Sequence, residues 1–503
     1  MERARKVLAA LIAVSAGLSP AAGSLQTSPA PVVVALIDSG INPYSPAFRD
    51  DSLMAQEPPS SYLEDYPADC PAVPEEPTTT CAVRLELTLP SNPTGDLRQS
   101  YRDAYEQDRA LWESLLPRQL YYIPGTSIVG ALSFSAGGRR CPARIGRSQT
   151  GTIAEVTVPP PGGTANTSSA CPERLILDDH GHGTMTASRA TGSPSSLAPG
   201  ARVVMIEGLG SASSTWAANQ PWIDVQSNSW GSLVPAPADT GTMIAFARAA
   251  EKQFVVVASG NGIGFTGVAP TPTQFDGLGA PGVVLVGAHD NGRVTGWHGQ
   301  PAHVVADAYA GYMAIHDSLE QMRPDPVACC TSTSAPYAAG GAAAILREAR
   351  SILGETRTGI REGVAAVGQP GLVEGGPLAD GVFTLAEWKR VVLATAEAYP
   401  AEGAHDGLVH WLGEPTAPRY ADSYLTADNP YCQFCWTLPV RWTDLQQIPS
   451  YPNVGYGAIN ERSFDLAAHV LAGAAPMPTR PDEDAFFAAE EQTRKLLFDP
   501  ITG

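Results

Sequence analysis

Apolar runs along this chain stop abruptly at turns. Residues 31–41, PVVVALIDSGI, are continuously apolar and β-branched until they reach Asp-Ser-Gly. Continuous rather than alternating apolarity predicts a parallel strand covered on both faces, with a turn at its carboxyl end. ARVVMIEGLG (201–210), DVQSNSWGS (224–232), FVVVASGNG (254–262) and GVVLVGAHD (282–290) repeat the pattern. Each closes on glycine or polar residues. TMIAFARAAEKQ (242–253) reads as a helix between two of them. Alternating strand, turn and helix predict an α/β fold, three-layered, with a mostly parallel central sheet. Functional polar residues should then gather at the carboxyl ends of the strands.

Residues 49–177 interrupt the alternation. EPPSSYLEDYPADCPAVPEEPTTTC (57–81) is Pro-rich and acidic, and reads as loop. Residues 96–117 predict one amphipathic helix, with Leu97, Tyr101, Tyr105, Trp112 and Leu116 at roughly helical spacing. Asp96 can cap it and Pro117 ends it. That aromatic stripe reads as core. VPPPGGTANTSSAC (158–171) is a second loop, and the acidic stretch from Ala474 to Gly503 reads as a tail.

The N-terminus changes the picture of where the chain acts. MERARK is followed by the apolar VLAALIAVSAGL and then by the small residues SPAAGS. This is the layout of a secretory signal peptide over about residues 1–23. No later run is long enough to anchor the chain in a membrane. The net charge of −19, from 32 Lys and Arg against 51 Asp and Glu, argues against nucleic acid as a partner. Export makes disulfides reasonable for the eight cysteines. Their spacing suggests Cys70 with Cys81, Cys141 with Cys171, Cys329 with Cys330 and Cys432 with Cys435, one of 105 connectivities, and leaves open a bond from Cys329 or Cys330 to the Cys432/Cys435 loop.

Four polar residues sit where the predicted strands and helices end. Asp38 closes the first strand. His182 lies in DDHGHGTMTASRATG (178–192), before Gly-Thr and a helix of small residues. Asn261 follows a buried strand. Ser332 and Ser334 open the helix APYAAGGAAAILREA. A serine hydroxyl needs a base to become a nucleophile, and histidine suits neutral pH. A carboxylate orients the imidazole, and an amide donor stabilises the oxyanion. His180, Asp178 and Asp179 read as a polar turn rather than a metal pair, and Cys432-x-x-Cys435 as a local disulfide or loop thiols.

The order Asp, His, Asn, Ser, each beside small residues, resembles the subtilisin-like (subtilase) serine peptidases. VVALIDSGI resembles the family's Asp motif and HGHGTMTASRATG its His-Gly-Thr motif. SNSWG (227–231) resembles the segment lining the substrate cleft, and ASGN the oxyanion segment. CTSTSAPYAAG (330–340) aligns with Gly-Thr-Ser-x-x-x-Pro-x-x-x-Gly, which selects Ser332 over Ser334. The resemblance implies a secreted serine endopeptidase, with Asp38, His182 and Ser332 as triad and Asn261 in the oxyanion hole. It implies Ser229, Trp230 and Gly231 as substrate-binding residues, a protein or peptide substrate, and a monomer. No cofactor is required; calcium is common in the family, but no stretch marks a site. The alternative is a silent subtilase fold that binds without cleaving.

The peptidase domain would span 32–473, with insertions at about 49–126, 136–177 and 400–450. The family's short Asp-to-His interval becomes 144 positions here. Cys330 stands in place of a glycine. The family's cleft-edge strand and helix are shortened to SASSTWAANQPWI (211–223). Such an edge ordinarily pairs with extended peptide.

Overall fold

The computed structural model of the chain describes residues 31–71, 76–134, 175–230, 240–259, 282–294, 302–322, 331–353, 376–397 and 456–479, apart from 92, 179, 291–292, 309–310 and 380. The signal-peptide region, Cys141, Cys171, the Cys329–Cys330 pair, the Cys432–Cys435 loop, Gly231 and Asn261 lie outside the described residues.

A long sheet organises everything else. Its central strand is β1 (Val33–Asp38), flanked by β5 (Arg202–Glu207) and β6 (Val225–Asn228), both parallel to it. Beyond β6 come β7 (Phe254–Ala258), β8 (Val284–Asp290), β10 (Val304–Asp307) and β13 (Ala458–Ile459), all parallel, while β9 (Arg293–Val294) pairs antiparallel with β8. Beyond β5 comes β4 (Ile128–Ser133), also parallel. The predicted parallel sheet is therefore present. β1 is buried at every position, so it reads as an unbroken apolar run.

The two faces of β1 feed different layers. Val34 and Leu36 join the large core that contains the helix Thr331–Leu353. Val33, Ala35 and Ile37 pack with Ala217 of the helix Ser211–Ala218, on the opposite face. Alternate residues thus choose alternate sides, as strand geometry dictates.

The first insertion is more ordered than its Pro-rich sequence implies. It adds β2 (Ala82–Arg84) and β3 (Leu120–Tyr122) to the sheet edge, with β3 antiparallel to β4. An edge strand needs a partner or a cover, and these strands supply one for β4. The expected helix over 96–117 is two helices, Leu97–Gln107 and Arg109–Glu113. The break is at Asp108, whose buried carboxylate accepts from Tyr44 Oη, the Thr88 N–H and Thr88 Oγ. Three tertiary bonds outweigh one more helical residue. Asp96 caps the first helix through the N–H groups of Arg98 and Gln99, as expected. Trp112 is buried and donates through Nε1 to Tyr44 Oη at 2.8 Å. Cys70 and Cys81 are disulfide-bonded, as the spacing predicts.

A second tie lies at the opposite end of the sheet. Arg350, on the helix Thr331–Leu353, forks onto Asp224 at 2.6 and 3.2 Å. Asp224 Oδ2 also accepts from the Val33 N–H at 2.9 Å. Both side chains are at most 4% exposed. Replacing Asp224 by Ala strands a buried guanidinium. Denaturant unfolding of Asp224→Ala should show a loss of about 3–5 kcal/mol. Trp112→Ala should lose a similar amount, about 3–5 kcal/mol, because the insertion is packed as core. A loss below 1 kcal/mol there would make the insertion a detachable appendage.

Candidate active site

The carboxyl ends of β1, β5 and β6 meet where the chain crosses from one side of β1 to the other. Open parallel sheets carry their ligand crevices at such points. Asp38 is the last residue of β1 and is 3% exposed. Oδ1 accepts from the Ser39 N–H at 2.8 Å, and Oδ2 from Thr186 Oγ at 3.0 Å. His182 Nδ1 lies 2.8 Å from Oδ1 and 3.0 Å from Oδ2. A carboxylate only accepts, so Nδ1 donates and Nε2 is left as the basic nitrogen.

His182 is the first residue of the helix His182–Thr191. The preceding Gly181 has φ +94° and offers no side-chain cap. Capping comes from Asp178 instead. Its Oδ1 accepts from the His180 N–H at 3.0 Å and the Gly181 N–H at 2.7 Å, and its Oδ2 from the Thr184 N–H at 2.7 Å. Ser39 Oγ accepts from the Gly183 N–H at 2.9 Å. These bonds satisfy N–H groups that the first helical turn leaves open. The helix starts hard against the β1 turn: a Cβ on Gly183 would lie 2.1 Å from the Gly40 carbonyl oxygen. Gly183 is required by that approach.

The imidazole is 27% exposed, so solvent can reach it. Burial pulls its pKa down. The charge of Asp38 and its hydrogen bond, with a further contribution from Asp178, outweigh this, and the net direction is upward.

Ser332 is the second residue of the helix Thr331–Leu353 and is 9% exposed. Pro336, four residues on, has no N–H to give the Ser332 carbonyl. Ser229 Oγ donates to that carbonyl instead, at 3.0 Å. In return the Ser332 hydroxyl donates to the Ser229 carbonyl at 3.2 Å, not to His182. Ser334 is fully buried. Trp230 follows Ser229 and packs on Phe246, with ring centroids 5.5 Å apart. The geometry thus brings Asp38 to His182, and Ser332 to Ser229.

Three supporting residues escape a reading by motif. Asp178 is one. Thr186 is another, one turn along the helix from His182. The third is Glu207, fully buried at the end of β5, whose Oε2 accepts from the Ile176 N–H at 2.9 Å. Its signal was a charge closing an apolar strand. Between β5 and β6 the chain forms the helix Ser211–Ala218 and no strand. Among the described residues, no three His, Cys, Asp or Glu side chains converge on a point that could hold a metal, and no helix is long and apolar enough to cross a membrane.

Comparison with known proteins bears on this arrangement. No curated protein matches the chain. Among solved structures, a cold-adapted subtilisin-like serine proteinase is 20% identical, with a TM-score of 0.30 over 36% of this chain and 66% of that one, just under two thirds of its length. The nisin leader peptidase NisP from Lactococcus lactis is 14% identical, with a TM-score of 0.32 over 72% of this chain and 88% of that one. The PatG macrocyclase domain is 14% identical, with a TM-score of 0.34 over 73% and 93%. The model of the subtilase family (Peptidase S8) matches residues 30–365, more than half of the chain. That stretch contains β1 and its Asp38, the His182 helix and the whole of the Ser332 helix, and by this match the chain belongs to the subtilase family of serine peptidases.

Proposed function

We propose that this subtilase is a secreted serine endopeptidase whose triad is Asp38, His182 and Ser332. The observation that carries the reading is the bond from His182 Nδ1 to the buried Asp38 carboxylate. It leaves Nε2 free to take a proton. The Ser332 hydroxyl turns from the Ser229 carbonyl to donate to Nε2, then attacks the scissile carbonyl carbon. His182 accepts that proton and returns it to the leaving amine. Asp38 holds the imidazole in one tautomer and stabilises the imidazolium. The Ser332 N–H, at a helix N-terminus, and the Asn261 side-chain amide stabilise the oxyanion. Ser229, Trp230 and Gly231 line the substrate cleft. The substrate is protein or peptide. No cofactor takes part, and the enzyme acts as a monomer.

A second reading is a subtilase fold that binds peptide without cleaving it. The bond from Ser332 to Ser229 and the missing cleft-edge strand favour it. A fluorophosphonate probe separates the two. The wild-type protein should be labelled, Ser332→Ala should not, and Ser334→Ala should be labelled at close to the wild-type rate if it folds. Folded wild-type protein that takes no label sinks the peptidase reading.

The pH profile follows from the direction of the His182 shift. The neutral imidazole is the base, so labelling rises with pH through the His182 pKa. That pKa is raised, so the midpoint should lie above the ordinary histidine value of about 6.5. In Asp38→Asn the midpoint should fall and the limiting rate should drop by about 10⁴-fold.

A further inference from the structure

Asp38 and His182 are 144 residues apart, with the first insertion and further chain between them. No local chain constraint sets the distance between β1 and the His182 helix. Something else must hold the register, and the described residues contain a closed set of links that can do so. Asp178 is 3% exposed. Its Oδ1 accepts from Ser39 Oγ at 2.9 Å as well as from the His180 and Gly181 N–H groups. Its Oδ2 accepts from the Thr184 N–H. Ser39 Oγ, in donating to Asp178, also accepts from the Gly183 N–H. The Ser39 N–H donates to Asp38 Oδ1, which meets His182 Nδ1. The path Asp38, Ser39, Asp178, helix start, His182 and back to Asp38 is a ring.

We propose that Asp178 is a positioning residue for His182, clamping the start of the histidine's helix to the Asp38 turn through Ser39. The proposal rests on the triad reading above. Asp178 does not touch the reacting atoms. It fixes where the imidazole sits, and its negative charge favours the imidazolium that forms when Ser332 gives up its proton. Four donors meet one carboxylate, so an amide in its place turns at least one N–H or O–H contact into a donor–donor clash. Misplacement of a general base by a fraction of an ångström to one ångström is costly in rate.

Among the described residues, the charged and titratable groups around His182 are Asp38, Asp178, His180 and His316. Asp38 faces it from β1 and Asp178 from the preceding turn. The His180 ring lies 6.2 Å away, centroid to centroid. His316, on the loop between β11 (Met313–Ala314) and β12 (Gln321–Met322), packs on Gly181, where an added Cβ would lie 2.7 Å from its Nδ1. Removing the Asp178 charge leaves Asp38 as the main support of the imidazolium, so the His182 pKa must fall.

The test compares wild type, Asp178→Asn, Ser39→Ala and Ser39→Thr in the full chain. Fluorophosphonate labelling against pH gives a rate and a midpoint. Histidine NMR titration, with His182 assigned by its loss in His182→Gln, gives the pKa without relying on turnover. Asp178→Asn should label about 10- to 100-fold more slowly, with the His182 midpoint lowered by both methods. Ser39→Ala should lose rate, and Ser39→Thr, which keeps the hydroxyl, should recover most of it. An unchanged His182 midpoint in folded Asp178→Asn overturns the proposal, even if the rate drops. If Asp178→Asn does not fold, a wild-type rate in Ser39→Ala overturns it. Absence of labelling in the wild type defeats the triad reading alone, and the NMR arm still decides whether Asp178 supports His182.

Discussion

Burial of β1 on both faces is the constraint from which the rest follows. Six consecutive residues of this strand are buried, so a charge can be tolerated only at the strand's end and only with partners. Asp38 sits there. It takes bonds from the Ser39 N–H, Thr186 Oγ and His182 Nδ1. A buried carboxylate without such partners would be protonated or would unfold its surroundings. Satisfying it draws the helix His182–Thr191 against the β1 turn, and the contact between Gly40 and Gly183 leaves little slack. The electrostatics of the site are therefore a consequence of where an apolar strand has to stop.

The same device recurs at three other junctions. Glu207 catches the Ile176 N–H on the way to the His182 loop. Asp178 gathers four donors at the start of the helix. Asp108 fastens the first insertion to Tyr44, just beyond the Asp38 turn. Each carboxylate joins segments distant in sequence through N–H or O–H donors. Hydrogen bonds to a charged acceptor are stronger than neutral ones, which suits long connections that have no short loop to hold their ends together.

Legibility from sequence varied with the range of the interaction. The strands at 31–41, 201–210, 224–232, 254–262 and 282–290 were readable because burial on two faces writes itself as unbroken apolarity. Asp38 and His182 were readable because each sits at an element end within a short motif. The single helix expected over 96–117 breaks at Asp108, since Tyr44 and Thr88 compete for its carboxylate. β2 and β3 were invisible in a Pro-rich, acidic stretch; their pairing is dictated by the open edge of β4, not by their own pattern. Asp178 passed for a polar turn, because the four donors that converge on it come from both sides of a long insertion.

By itself the sequence determined the class of fold, the position of the strands buried on both faces, and the residue types able to activate a serine. Those properties depend on local periodicity and on chemistry carried within a few residues. The tertiary structure decided which groups meet: that Nδ1 of His182 faces Asp38, that Ser332 exchanges hydrogen bonds with Ser229, and that Asp178 and Ser39 close a ring around the histidine. These are pairings between residues more than a hundred positions apart. Only packing against a shared sheet sets their distances, and no local pattern records them.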